Sequence, residues 1–380
     1  MISGLFDACR AHADETAGMI ERLVALESPS TDKAAVDRCG RELAGMIRAA
    51  GGMVEVFPQV ERGDHIRAGI DGTPGSKPIL LLGHFDTVWP VGTIERMPLR
   101  RDGDRLHGPG TFDMKAGIAI ALAAIRALRD TRTPHAPIVM LWTTDEEIGS
   151  GTSREIIEAE ARAAAAVLVL EPALPGGALK TARKGCGEFE LTVHGVAAHA
   201  GLDPGKGASA IHELAAQIAA VERLQDLSRG ISVNVGVIDG GSRPNVVAER
   251  ARAVIDVRAP TREAAAELVA AFHALRPGRP GTRLTVHGGF ERPPMERTPD
   301  VAALFSMAAT IAAAAGHELR EGAAGGGSDG NFTAALGIPT LDGLGAIGDG
   351  AHAAHEHVDV PSLAWRSALL AGLLASITSV

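Results

Sequence analysis

The chain has 380 residues, of which 46% are hydrophobic and 22% are charged, and its formal net charge is −9 at pH 7. A single core rarely fills this length, so we expect two domains, one of them inserted in the other. No apolar run reaches the ~20 residues that cross a bilayer, and the acidic balance disfavours nucleic-acid binding, so a small substrate is expected.

The first half of the chain is predicted to alternate helices with strands. The predicted helices cover residues 14–29, 32–50 and 116–128, and the predicted strands cover 53–58, 65–69, 78–83 and 137–142. Thr31 is expected to cap the second helix, and Gly51 and Gly52 to end it. This alternation indicates an α/β sheet.

Three segments of this region are continuous apolar runs, PILLLG, PIVMLW and AAVLVLE. Parallel strands that are buried on both faces have this composition. His84, Glu146 and Glu171 follow these runs, and open α/β sheets bind their ligands beyond the carboxyl ends of the strands. We therefore expect a functional site at that edge of the sheet.

The pattern changes after Gly185. The predicted strands at 188–194, 231–238, 247–258 and 282–288 and the predicted helices at 207–227 and 261–275 follow the order β-α-β-β-α-β. That order is typical of a ferredoxin-like unit. From about Pro293 the chain returns to helix, the glycine-rich segment 325–330, short strands and a helix from Pro361. The expected domains are therefore a discontinuous catalytic domain, 1–185 and 293–380, and an α+β insert, 186–292.

Two further observations concern the environment of the protein. The first ten residues lack the basic and apolar segments of an export signal, so a cytoplasmic location is expected. Cys9, Cys39 and Cys186 are widely spaced and odd in number, which fits neither a disulfide framework nor a CxxC zinc site. They are expected to be small buried hydrophobic residues.

His84 and Asp86 stand at positions i and i+2 of an extended segment, so their side chains point the same way. Asp86 could hold one imidazole nitrogen while the other binds a metal, although such a pair alone is more often a capped strand end. Asp113, in the turn-rich segment GPGTFDMKAG, could bridge two ions or cap the helix that follows.

The segment TTDEEIGS places three acids side by side after a buried strand. Their mutual repulsion is costly unless cations neutralise it, which favours a metal site. Adjacent side chains diverge, so Glu147 could bind a metal while Glu146 faces water between two ions. Glu171 suits the second ion, or else caps the end of its strand.

The segment GAHAAHEHVDV offers His352, His355 and His357, of which at most one is expected to be a ligand, and spacing alone does not choose among them. Hard divalent cations bind carboxylate oxygen and imidazole nitrogen, and two ions about 3.5–4 Å apart need a shared carboxylate. The whole set therefore indicates a two-metal hydrolase.

Taken in order, the segments GHFDTV, GPGTFDMKAG, TTDEEIGS, LVLEPA, GVAAHAGLDPGKGASA, NVVAERARAVIDVR, GGGSDG and GAHAAHEHVDV resemble one known family. It is the zinc-dependent family of glutamate carboxypeptidase, acetylornithine deacetylase, succinyl-diaminopimelate desuccinylase and aminoacylase. The resemblance covers nearly the whole chain. It implies an α/β, phosphorylase/hydrolase-like di-zinc catalytic domain with an inserted ferredoxin-like dimerisation (lid) domain. It also implies a cis peptide bond after Asp113.

The resemblance assigns the metal ligands. It implies that Asp113 bridges two zinc ions, that His84 and Glu171 complete one site, and that Glu147 and His352 complete the other. Cobalt or manganese can occupy similar ligand sets. The choice of His352 follows from the H-x-x-x-E spacing that it forms with Glu356.

The resemblance also assigns catalytic roles. Glu146 corresponds to the general base and Asp86 to the acid that orients the metal-binding histidine. His199 corresponds to a histidine that reaches into the active site of a dimer partner and stabilises the oxyanion. A homodimer through residues 186–292 is therefore expected.

The remaining implied residues contact the substrate. Asn245 and Arg258 match residues that hold the substrate carboxylate, Arg183 matches an arginine of relatives with anionic substrates, and the GGGSDG loop contributes Gly327 and Ser328 to the pocket. The expected activity is a glutamate carboxypeptidase-like release of a C-terminal amino acid from a peptide or an N-acyl amino acid. The alternative is an N-acyl-amino-acid deacylase, followed by an aminopeptidase or a non-catalytic dimer.

Overall fold

The computed structural model describes residues 2–377 of the chain. Among these residues no helix is long and apolar enough to cross a membrane. The chain divides into two compact units. The first comprises the chain up to Thr181, Arg297–Ala324 and the chain from Ser328 onward, and the second comprises Ala182–Glu296 with Gly325–Gly327. The predicted insert, 186–292, lies within the second unit.

The helices and strands alternate along much of the chain. The helices are α1 (Ile2–Ala11), α2 (Ala13–Val24), α3 (Lys33–Ala49), α4 (Thr93–Arg96), α5 (Ala116–Asp130), α6 (Arg154–Ala163), α7 (Ala210–Glu222), α8 (Arg262–His273), α9 (Pro299–Ala314), α10 (Gly330–Ala335) and α11 (Ser362–Ser376). The strands are β1 (Met53–Phe57), β2 (His65–Ile70), β3 (Ile79–His84), β4 (Arg100–Asp102), β5 (Arg105–His107), β6 (Ile138–Thr143), β7 (Ala166–Val169), β8 (Leu179–Arg183), β9 (Gly185–His194), β10 (Ser232–Gly240), β11 (Arg250–Ala259), β12 (Arg283–Arg292), β13 (Glu321–Ala324), β14 (Thr340–Leu341), β15 (Gly348–Asp349) and β16 (His357–Asp359).

The first unit is built on a six-stranded sheet with the order β1-β2-β6-β3-β7-β14. β3 pairs in parallel with β6 on one side and with β7 on the other. Alternate residues of a strand face opposite sides, so Leu81 packs into the core with α5 and α11, and Leu80 and Leu82 pack into a separate cluster with α6. Burial on both faces explains why these three strands are continuous apolar runs.

The carboxyl ends of β6, β3 and β7 lie next to one another, because these strands are parallel and adjacent. β3 ends at His84, Glu146 follows β6 by three residues, and Glu171 follows β7 by two. The expected α/β sheet with its strand ends gathered at one edge is therefore confirmed.

The second unit contains an antiparallel four-stranded sheet with the order β10-β11-β9-β12. Numbered within the unit, this order is 2-3-1-4, and α7 and α8 are the two helices of the β-α-β-β-α-β sequence. The core includes Phe189 and Phe272, which stack with ring centroids 4.0 Å apart. The predicted ferredoxin-like arrangement is confirmed.

Some element boundaries differ from the prediction. The N-cap of α3 is Asp32 rather than Thr31, since the Asp32 carboxylate accepts the Ala35 N–H at 3.0 Å. α2 ends at Val24 instead of residue 29. The buried Lys115 ammonium donates to the carbonyls of Leu23 and Leu26, both at 2.9 Å, and so satisfies carbonyls released where the helix stops.

The cysteine prediction holds for two residues of three. Cys9 and Cys39 are free thiols in the core of the first unit, as expected. Cys186 is free but half-buried, so the prediction that it is a buried hydrophobic residue is wrong. It lies on β9 beside Arg258 of the paired strand β11, and the guanidinium contacts its sulfur.

Candidate active site

His84 stands at the end of β3 with its ring buried and its Nε2 atom facing two carboxylates. Nε2 is 3.3 Å from Asp113 Oδ1 and 3.4 Å from Glu171 Oε1. Asp113 lies in an irregular turn before α5, and Glu171 follows β7. The sheet edge and the turn thus bring one imidazole nitrogen and two carboxylates together.

A second group forms on the other side of Asp113. His352 Nε2 is 3.3 Å from Asp113 Oδ2 and 3.0 Å from Glu147 Oε2. His355 and His357 are not part of this group: His357 belongs to β16, and its Nδ1 donates to the His355 carbonyl at 3.0 Å. The two oxygens of the Asp113 carboxylate therefore face two different histidines.

The imidazole nitrogens and carboxylate oxygens of these two groups could bind a pair of divalent cations. Among the described residues, His84 Nε2 and Asp113 Oδ1 are buried atoms that have no hydrogen-bond partner. Ligand atoms of His84, Asp113 and Glu147 lie within 4.8 Å of one another. Imidazole nitrogen and carboxylate oxygen are both common ligands of zinc in proteins.

The ionisable side chains of this cluster lie close together and shift one another's pKa values. Burial alone opposes a charge on His84, but the neighbouring carboxylates of Asp113, Asp86 and Glu171 hold the pKa of His84 well above its usual value. Asp113 and Glu147 raise the pKa of His352 to about 10. Burial raises the pKa of Glu147. These shifts have one cause, since carboxylates and imidazoles lie close together in a buried cluster.

Asp113 itself is strongly acidic. Burial tends to raise its pKa, yet the contacts with His352 and His84 hold the pKa of Asp113 far below its usual range. The peptide bond between Asp113 and Met114 is cis, as the resemblance implies.

Asp86 contacts the other nitrogen of the His84 ring. His84 Nδ1 is 3.1 Å from the Asp86 main-chain carbonyl and 3.3 Å from its carboxylate Oδ1. The carboxylate that the sequence predicted as the partner of this nitrogen therefore lies beside it, together with the carbonyl. Ser30 donates to Asp86 Oδ2 at 2.6 Å. An isolated serine 56 residues upstream carries no sequence pattern, so its role could not be predicted.

Glu146 lies beside the first group. Ligand atoms of His84, Glu146 and Glu171 lie within 4.8 Å of one another. Glu146 and Glu147 occupy a short 3-10 turn after β6, and this turn directs their carboxylates to different neighbours. Glu147 approaches His352, and Glu146 approaches His84.

Ser328 is completely buried in the first unit. Its hydroxyl donates to Asp342 Oδ2 at 2.7 Å, and its N–H donates to the Asn331 side chain at 2.9 Å. The side chain therefore anchors the turn that follows the glycine-rich segment.

In the second unit, Arg183 and Gly327 contact each other. Arg183 Nη1 donates to the carbonyls of Gly326 and Gly327, both at 3.1 Å, and the side chain is buried. Arg258 donates to both carboxylate oxygens of Asp256, from Nε at 2.9 Å and from Nη2 at 2.7 Å.

His199 and Asn245 are also neighbours in the second unit, and both are exposed. The Ala200 N–H donates to the Asn245 carbonyl at 2.9 Å. His199 Nδ1 accepts the N–H groups of Gly201 and Leu202, each at 3.1 Å.

Comparison with known proteins identifies several similar chains. The chain is 29% identical to carboxypeptidase G2 of Pseudomonas sp. strain RS-16 over 381 residues, covering 98% of this chain and 92% of that protein. It is 31% identical to the acetylornithine deacetylase of Myxococcus xanthus over 198 residues, 48% of this chain and 50% of that protein. The crystal structure of aminopeptidase PepT from Bacillus cereus shares the fold, with a TM-score of 0.78, 24% identity and coverage of 96% of this chain and 98% of that one.

The model of one family, described as peptidase family M20/M25/M40, matches residues 80–376. This range begins in β3, four residues before His84, and ends in α11, so it contains His84, Asp113, Glu146, Glu147, Glu171 and His352. The family is metal dependent, and its members are hydrolytic enzymes. The chain is therefore a hydrolytic enzyme and belongs to peptidase family M20/M25/M40.

Proposed function

We propose that the protein is a two-zinc carboxypeptidase that releases a C-terminal amino acid from a peptide or an N-acyl amino acid. The observation that carries the proposal is the position of Asp113, with Oδ1 facing His84 and Oδ2 facing His352. A carboxylate shared between two imidazoles is the arrangement that two closely spaced cations need.

The ligand assignment follows from these contacts. Asp113 would hold both ions, His84 and Glu171 the first ion, and Glu147 and His352 the second. Cobalt or manganese would bind the same oxygen and nitrogen atoms, since geometry and availability decide among these metals.

The metal ions and the protein side chains would have different roles in the reaction. When bound, the divalent cations polarise the scissile carbonyl and acidify a water molecule. Glu146 takes the proton of the attacking water and returns it to the leaving amine. Asp86 keeps the His84 ring in place through Nδ1, so that Nε2 remains directed at the first ion.

The tetrahedral oxyanion needs a donor besides the cations. We propose that His199 supplies this donor from the partner chain of a homodimer, and a donor of this kind is typically worth ~3–4 kcal/mol. β10 is an outer strand of its sheet, and its Val237 and Ile238 are 51% and 61% exposed. Exposed apolar edge strands pair readily with another chain, which supports a second copy as the partner.

We propose that an arginine side chain binds the substrate carboxylate. Arg258 would bind the α-carboxylate, while Asp256 holds the guanidinium from Nε and Nη2. Asn245 would lie near that carboxylate, and Arg183 would act by holding the glycine-rich loop that contains Gly327. Ser328 would fix the end of this loop rather than contact substrate. The location in the cytoplasm stays a prediction.

The preference for a carboxypeptidase rests on the likeness to carboxypeptidase G2, which extends over almost the entire chain. Deacylation of N-acyl amino acids is the second candidate, favoured by the shorter likeness to an acetylornithine deacetylase. Both activities cut an amide beside a free carboxylate. An aminopeptidase would need an acidic anchor for a free amino group.

Two neighbouring substitutions test the assignment of Glu146. Glu146→Gln should lower kcat by at least about 10²-fold because the proton acceptor is lost. It should retain both metals. Glu147→Gln, the matched change one residue later, should lose metal because a ligand is replaced. Turnover and metal content per chain, measured on the same zinc-loaded preparations, distinguish these outcomes, and near-wild-type turnover by Glu146→Gln would refute the role as general base.

The substrate class is tested by mass spectrometry of released amino acids. The enzyme is offered N-acetyl and peptidyl forms of glutamate, aspartate, ornithine, diaminopimelate and aliphatic amino acids. A carboxypeptidase cleaves N-blocked dipeptides faster than N-acetyl amino acids, and a deacylase shows the reverse order. Cleavage confined to substrates with a free amino group would contradict both.

A further inference from the structure

We propose that Glu356 is a positioning residue whose single carboxylate fixes three ligand-bearing segments of the metal centre at once. The proposal rests on the ligand assignment given under the proposed function. Glu356 is four residues beyond His352 and is only 1% exposed. It touches neither His84 nor His352 in the contacts described above, so any effect must pass through the groups that it does hold.

All four contacts of the carboxylate go to segments that carry proposed ligands. Oε1 accepts the N–H groups of Phe112 at 2.9 Å and of Asp113 at 3.0 Å. Oε2 accepts the Gly110 N–H and the Trp89 indole N–H, both at 2.9 Å. Trp89 follows the β3 segment with His84 and Asp86, and Gly110–Asp113 is the turn with the shared carboxylate.

The four N–H donors require a carboxylate at this position, because an amide accepts fewer hydrogen bonds. An ionised carboxylate has about four acceptor sites and no donor, and here each oxygen receives two N–H groups. A glutamine of the same shape would turn its NH₂ group toward two N–H donors. Glu356→Gln therefore removes acceptors at the turn without opening a cavity.

The Asp113 N–H is the contact that links Glu356 to metal binding. The Asp113 carboxylate faces both histidines, so a shift of its backbone changes the distances to both proposed ions together. Groups that orient metal ligands typically change metal affinity by 10–100-fold when they are removed. A residue that only stabilised the fold would leave that affinity unchanged.

The chain offers a matched control in the second unit. Glu213 is also fully buried, and its carboxylate accepts the N–H groups of Gly278 at 3.0 Å and Arg279 at 2.8 Å and the Gln217 amide at 2.7 Å. Glu213→Gln is thus the same chemical change at a buried carboxylate that also holds a loop. It has no contact with a proposed ligand in the described structure.

The experiment measures Co²⁺ affinity on the full-length protein. Metal-free wild type and variants are titrated with Co²⁺, and the visible d–d absorption gives both the stoichiometry and the dissociation constants. We expect Glu356→Gln to weaken binding by about 10–100-fold. Glu213→Gln should stay within about twofold of wild type although it is less stable. Trp89→Phe, which removes one bond of the four, should weaken binding by a smaller but measurable factor, about three- to tenfold.

Each outcome decides one question. Unchanged affinity in both Glu356→Gln and Trp89→Phe overturns the positioning role, and so does an equal loss in Glu213→Gln. If Glu356→Gln does not fold, wild-type affinity in Trp89→Phe still contradicts the proposal. If wild type itself binds fewer than two Co²⁺ ions, the proposed ligand set fails instead.

Discussion

At the scale of single residues, the three cysteines differ in their surroundings. Burial raises the pKa of Cys9 to about 12, and burial also raises the pKa of the Cys39 thiol. The thiolate is the reactive form, so these two side chains are both inaccessible and protonated. Cys186 is half-buried and lies against Arg258, a residue proposed to bind the substrate carboxylate.

We therefore expect Cys186 to be the thiol that reacts with a disulfide reagent in the native protein. Released thiolate, followed by absorbance, should show one fast equivalent per chain that disappears in Cys186→Ser. Cys9→Ser serves as the control and should not change the fast phase. A saturating amino acid product should slow the reaction if Arg258 holds its carboxylate, and fast labelling of Cys9 would contradict the burial argument.

His199 illustrates how the backbone can fix a side-chain tautomer. Its Nδ1 atom accepts two main-chain N–H groups, from Gly201 and Leu202. A neutral imidazole that accepts at Nδ1 carries its proton on Nε2. The exposed end of the ring is therefore a hydrogen-bond donor, which is the form that an oxyanion partner requires.

A site residue could be predicted from the sequence when a local pattern marked it, and could not when only a contact with a distant residue did. His84, Glu146 and Glu171 could be selected because each follows an apolar strand. The supporting contacts could not, since Ser30 reaches Asp86 across 56 positions and Glu356 reaches Asp113 across 243. Such pairs are set by tertiary packing, which leaves no local period or spacing in the sequence.

At the scale of elements, α7 is joined to a loop by the Glu213 carboxylate. Burial tends to raise its pKa, but hydrogen bonds from Gln217, Gly278 and Arg279 lower the pKa of Glu213 below its usual value. A carboxyl with a lowered folded-state pKa stabilises the protein above its unfolded pKa of about 4.3, and this contribution is lost as the pH falls through the folded value.

Glu213→Gln should therefore lower the free energy of unfolding by about 1–3 kcal/mol at pH 7, because buried N–H donors lose their acceptor. The difference from wild type should shrink as the pH is lowered through the range in which Glu213 becomes protonated. Urea unfolding at a series of pH values measures it. A difference that grows toward low pH would contradict the lowered pKa.

The elements that sequence patterns predicted are those with a continuous apolar run or a strong periodicity. The strands β3 and β6 are continuous apolar runs, and the βαββαβ order appears in alternating segments. α1 was not predicted, because its buried face shows only Leu5 and Cys9 over ten residues. A pattern that short does not separate a helix from a loop.

At the scale of the whole molecule, the proposed function requires two chains for one active site. A His199→Ala chain contains Glu146, and a Glu146→Gln chain contains His199. Each homodimer should be nearly inactive, and a heterodimer should contain one complete site. Equal mixing with free exchange should restore about a quarter of the wild-type activity, since half of the dimers then have one active site of two.

Native mass spectrometry confirms that the subunits have exchanged before activity is measured. A mixture of His199→Ala with wild type is the control, and it shows how far a single intact chain supports turnover. Exchange without recovery would place the action of His199 within its own chain or remove it from the reaction.

The first unit is assembled from three separate stretches of the chain, whereas the second is nearly continuous. During synthesis the insert is complete while the sheet of the first unit still lacks β14, and His352 follows β14. Folding on the ribosome generally proceeds from the N-terminus. The nascent chain therefore cannot assemble its full set of proposed ligands before the segment with His352 has been synthesised, long after His84 and Asp113.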